Sequence, residues 1–158
     1  MLNGLQWHDR YPEFISQAQA LLSRFQECLL HLEVFDNDQD ALACLKATLQ
    51  KMGDHAENAS INGVADFSRQ LLKLMSAALL TPPLPVNALQ VLKDCLALFA
   101  WQIELINPQD GLLLLDDSEQ CALLDRFALV TGLATLTGGI TPQNPSTVTR
   151  AQSGINVR

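Results

Sequence analysis

The chain is short of aromatic side chains, which make up 6% of it, and short of charge, at 17% Asp, Glu, Lys and Arg. Strands draw on aromatic and β-branched residues, so the first shortage argues against a sheet protein. Basic residues are outnumbered by acidic ones, 10 against 17, for a net charge of −7 and a pI near 4.7. Nucleic acid and anionic membrane both demand clustered Lys and Arg, so neither is an expected partner. No uninterrupted apolar run approaches the ~20 residues that span a bilayer, and no basic stretch leads into an apolar one. The expectation is a cytoplasmic protein without a signal peptide. A CxxC pair is lacking too. Cys28, Cys44, Cys95 and Cys121 are scattered, each within or beside an apolar stripe, and read as small buried thiols rather than zinc ligands or disulfide halves. A Gly-rich phosphate loop, HExxH, a nucleophile elbow and paired metal ligands are also missing, so the sequence indicates no enzyme class, catalytic residue, cofactor or metal. The doublet Asp116-Asp117 reads as a helix cap.

What the chain does have is Leu and Ala at helical spacing. The stretch 41–59, ALACLKATLQKMGDHAENA, places Leu42, Leu45, Leu49, Met52, Ala56 and Ala59 three and four apart, on one helical stripe. Gln50, Lys51, Asp54, Glu57 and Asn58 stand opposite. Before it, Pro12 suits a first helical turn, and Phe14, Ala18, Leu21, Phe25, Cys28 and Leu32 carry a long helix to about Val34. The acidic segment DNDQD, 36–40, supplies a turn and an N-cap. Ser60, Asn62 and Gly63 break the central helix. A third helix carries Val64, Phe67, Leu71, Leu74 and Ala78, stopped by TPPLP at 81–85. A fourth carries Leu89, Leu92, Leu96, Phe99, Ile103 and Ile106, with Trp101 expected in the core. The run 112–115 either plugs one end or begins another turn of helix. A last helix starts at 116–118 and buries Leu123, Leu124, Phe127 and Val130. Helices on short polar links predict an all-α, antiparallel up-down bundle over 1–137, followed by a flexible tail over 138–158.

Residues 13–106 resemble a histidine-containing phosphotransfer (Hpt) domain, of the kind that begins chemotaxis-type histidine kinases. The resemblance rests on EFISQAQALLSRFQECLLHLE, the acidic turn DNDQD, the central helix and VADFSRQLLKL, in that family's order and lengths. It implies a four-helix core, here with an additional C-terminal helix. The family's second helix carries a motif of His, two residues, Lys, Gly, one residue, Ala. There the His takes a phosphoryl group, the Lys helps neutralise it, and the Gly admits a receiver domain.

Packing fixes the register. The motif's His follows one buried position, precedes the next by two, and precedes a buried small residue by six. Leu49, Met52 and Ala56 meet those demands if the acceptor slot is residue 50. That slot then holds Gln50, the Lys slot Gly53 and the Gly slot Asp54. Using His55 instead would bury Asp54 and Glu57, at several kcal/mol for an unpaired charge. His55 therefore flanks the stripe, and His31 and His8 have no Lys or Gly at motif spacing. A carboxamide nitrogen is delocalised into its carbonyl and is not the nucleophile that an imidazole is. Asp54 moreover puts an anion where a phosphate would sit, against the usual need for positive partners.

The expected function is thus a non-catalytic pseudo-Hpt module. It would bind a response-regulator receiver domain or sensor kinase through Lys46, Gln50, Lys51, Gly53, Asp54 and Glu57 without accepting phosphate. Two competing readings are a helical adaptor or chaperone unrelated to phosphorelays, and an active phosphotransfer protein using His55 or His31.

Overall fold

The computed structural model describes residues 4–81 and 83–133. They form five helices, α1 (Gly4–Val34), α2 (Gln39–Asn58), α3 (Asn62–Ala78), α4 (Val86–Leu105) and α5 (Ser118–Val130). No sheet occurs among them, and none of the helices is long and apolar enough to cross a membrane. The predicted tail, 138–158, lies outside the described residues.

The first helix begins earlier than its proline suggests. Pro12 sits inside α1 rather than in its opening turn. One proline removes one donor, and Pro12 lies on an exposed face, where water can serve the carbonyl left over. The rest of α1 follows its stripe, with Phe14, Ala18, Leu21, Phe25, Cys28 and Leu32 all buried. Asp38 then caps α2 as the acidic turn foretold, its Oδ2 accepting the Ala41 backbone N–H at 2.9 Å. Such a cap contributes about 1 kcal/mol.

All six stripe residues of α2 are buried. The helix ends in a Schellman arrangement: the Ile61 N–H donates to the Ala56 carbonyl at 2.8 Å, and the Ser60 N–H to Glu57 at 3.0 Å. The left-handed residue this requires is Ser60, at φ 63°, and not the nearby Gly63. Gly63 instead lies close to the Leu113 side chain of the α4–α5 link.

Around the core, α2 packs on α1 and α3, α1 on α4, and α5 on both α4 and α3. The fifth helix is therefore a wall of the bundle as well as an addition to four others. Four phenylalanine rings meet in the interior. Phe67 of α3 stacks on Phe99 of α4, with centroids 4.4 Å apart and planes at 26°, and Phe25 of α1 lies 6.0 Å from Phe99. Phe127 of α5 is fully buried as well.

Because α1 and α5 both lean on α4, that helix buries more than one stripe. Ala88, Val91, Cys95 and Leu98 are covered along with Leu92, Phe99 and Ile103, while Leu89 and Leu96 are only half-buried. Trp101, two residues from both Phe99 and Ile103, falls on the side of α4 away from this buried arc. It is 49% exposed, contrary to its expected place in the core. Cys121 is likewise exposed rather than buried. The run 112–115 does not become helix. The Asn107 N–H donates to the Leu112 carbonyl at 2.9 Å, and Ile106 pairs with Leu113, so Leu113 and Leu115 turn partly inward while Leu114 is 89% exposed. Asp116 then shapes the approach to α5, accepting at Oδ1 from the Ser118 N–H (3.0 Å) and hydroxyl (2.6 Å). The expected cap is thus an Asx turn just ahead of the helix.

Candidate functional site

The outward face of α2 follows from its inward one. With Leu49, Met52 and Ala56 against the core, Gln50, Asp54 and Glu57 share the opposite side, three and four residues apart, and all three are exposed. Gln50 Nε2 donates to Asp54 Oδ1 at 3.1 Å. The same carboxylate oxygen accepts from the Arg69 guanidinium of α3 at 3.2 Å, and Arg69 also pairs with Glu57. Glu57 and then Asp54 hold the guanidinium above its ordinary pKa. Two carboxylates around one guanidinium leave the group one negative charge in excess. These pairs are exposed, so each adds little to stability. Their effect is to fix the shape and charge of a small polar patch.

Arg69 is the member that sequence reasoning missed. Its signal was present: it is the basic residue that precedes Lys73 in a helix otherwise neutral or acidic up to that point. What the sequence does not carry is the angle at which α3 meets α2, and that angle delivers Arg69 to the patch.

The remaining expected contacts divide between the two flanks. Gly53 is buried on the α3 side, where an added β-carbon would stand 3.4 Å from Arg69 Cγ and 3.5 Å from Ser68 Cβ. A glycine there lets α3 close on α2, but it presents no side chain. Lys46 is half-buried. Lys51 is exposed on the α1 flank, at one end of a shallow groove that Arg24 of α1 also lines. Gln50, Asp54 and Glu57 thus come together with Arg69, while the two lysines stand apart from one another.

The histidines occupy other surroundings. His55 is half-buried and lines a recess with Arg10, Glu13, Phe14 and Gln17 of α1. His31 lies 3.4 Å from Asp38, which also caps α2, and packs its ring on Phe35 at 5.0 Å. Asp54 and Glu57, the residues that an acceptor at His55 would have had to bury, are exposed. Among the described residues no three His, Cys, Asp or Glu side chains are placed to hold a metal ion.

Chemically, the patch offers carboxylate acceptors, an amide and a partly neutralised guanidinium on a rigid helical surface. Comparison of the chain with protein-family models, curated proteins and solved structures returns no match.

Proposed function

We propose that the chain is a non-catalytic, pseudo-Hpt signalling module that binds a response-regulator receiver domain through the outer faces of α2 and α3 and takes no phosphoryl group from it. The observation that carries this reading is the position of Gln50. It projects from mid-helix, exposed, with its amide tied to a carboxylate 3.1 Å away, and the register that the resemblance implies makes this residue the counterpart of the family's imidazole. Phosphoryl transfer needs a nucleophile and positive charge around the leaving oxygens. Here the slot holds an amide, and the neighbouring cation is already paired with Asp54 and Glu57. Docking asks for less: a rigid, exposed surface whose charges the partner can complement.

The test is titration of the purified protein against a panel of receiver domains, bare and phosphorylated, with radiolabel followed in parallel. Saturable binding to at least one receiver is expected, weakened about tenfold or more by Asp54→Lys or Arg69→Glu. No acid-labile label should pass to the chain. Failure to bind any receiver would remove the reading, and label that disappears in His55→Ala or His31→Ala would replace it with active phosphotransfer.

A further inference from the structure

On the α1 flank of α2, away from the Gln50 patch, two cysteines from different helices face one groove. Cys28 of α1 is buried and Cys44 of α2 is half-exposed, and the groove they share is also lined by Arg24, Glu27, His31 and Asp40. The Cys44 side chain is a near enough neighbour to help hold the Cys28 thiol above its ordinary range. Neither of the other cysteines has such a setting: Cys95 is buried in α4, and Cys121 is exposed on α5 beside Asp117 and Asp125. We propose that Cys28 and Cys44 form a reversible intrachain disulfide between α1 and α2 when the protein meets a hydroperoxide. The inference does not depend on the receiver-binding reading.

The order of events follows from access. Burial, aided by Cys44 as neighbour, pushes the Cys28 thiol up to about 12, so Cys28 does not supply the first thiolate. Cys44 meets the oxidant. Its sulfur attacks one oxygen of hydrogen peroxide; an S–O bond forms, the O–O bond breaks, and the departing hydroxide takes a proton as water. The product is a sulfenic acid. The Cys28 sulfur then attacks Cys44 sulfur; the S–S bond forms, the S–O bond breaks, and hydroxide leaves as a second water with the proton from Cys28. Two thiols are oxidised and one peroxide is reduced to two waters. The bridge encloses the turn 35–38 and the Asp38 cap, so it ties down the α1–α2 connection in the unfolded chain as well.

Mass spectrometry of the intact protein, treated with hydrogen peroxide and then alkylated with N-ethylmaleimide, tests the bridge. Trypsin cuts after Arg24 and Lys46, leaving both cysteines in the peptide 25–46. That peptide is expected to be two hydrogens lighter and free of maleimide, and to carry two maleimides after prior reduction with dithiothreitol. Cleavage before Asp36, Asp38 or Asp40 should release two fragments still joined. The oxidised protein should melt at a higher temperature, an increase lost on reduction and absent in Cys44→Ala, whose half-exposed site tolerates truncation. Peroxide that modifies Cys121, or drives Cys44 to its sulfinic acid, while Cys28 still takes maleimide would overturn the proposal. So would a peptide 25–46 left unchanged.

Discussion

Arg69 of α3 crosses Gly53 of α2, its Cγ within 3.4 Å of where a β-carbon on that glycine would stand. The crossing lets one guanidinium reach both Asp54 and Glu57, so the closeness of two helices and the charge of the exposed patch share one cause.

That separation is an ordinary van der Waals contact, and Gly53 has no left-handed backbone to preserve. Gly53→Ala should therefore stabilise the protein by about 0.5–1 kcal/mol, the helix-interior penalty of glycine. Urea denaturation followed by circular dichroism reads this as a higher midpoint at unchanged slope. A lower midpoint would mean that α3 cannot yield the last few tenths of an ångström.

Ser60 presents the converse case. It holds φ 63° at the end of α2, a conformation that costs an L-residue about 1–2 kcal/mol. Ser60→Gly should recover about 0.5–1 kcal/mol of it, less the added freedom of the unfolded chain. Ser60→Val, with a branched β-carbon, should lower the same midpoint.

The stacked rings of Phe67 and Phe99 join α3 to α4. Either residue changed to Ala should cost about 3–5 kcal/mol, since each is fully buried. A double-mutant cycle should show the pair coupled by roughly 0.5–1.5 kcal/mol. Additive losses would mean that the rings fill space without favouring each other. Phe67→Leu and Phe99→Leu supply the cycle if the alanine variants do not fold.

The carboxyl of Asp116 is held below its ordinary 3.8 by the hydroxyl and backbone N–H of Ser118. A lowered folded-state pKa stabilises above the unfolded value, and the contribution is lost as pH falls through the folded one. Ser118→Ala should raise the Asp116 pKa toward 3.8 in a carboxyl-detected NMR titration, leaving other carboxylates in place. Stability at neutral pH should fall slightly in that variant, and the difference should vanish once Asp116 is protonated in both.

The central helix was readable although it packs on both α1 and α3, because its apolar stripe is unbroken. Leu42 to Ala59 keep a strict three-four spacing, and a charge in any of those slots would have been too costly, which fixed the register of Gln50. Elsewhere single positions departed from expectation. Trp101 stands two residues from both Phe99 and Ile103, on the side of the fourth helix opposite its stripe, so its exposure was already present in the spacing and only its bulk argued for the core. Cys121 is left exposed on the outer side of α5. Pro12 marks a helix start in most settings, and nothing local revealed that α1 continues upstream of it. Arg69 belongs to the patch only through the docking of α3, a distance that sequence spacing does not encode.

Between α4 and α5, which an exposed Arg126–Asp94 ion pair also joins at 3.0 Å, the buried Gln102 donates its amide to the buried Gln120 at 3.3 Å. Leucine packing alone would accept α5 in several rotations, each burying much the same area. The two amides do not. Sliding α5 by one turn would strand both of them dry, at about 1–3 kcal/mol apiece, and would part Arg126 from Asp94, so the buried carboxamides act with that ion pair as the latch that gives the last helix one seat.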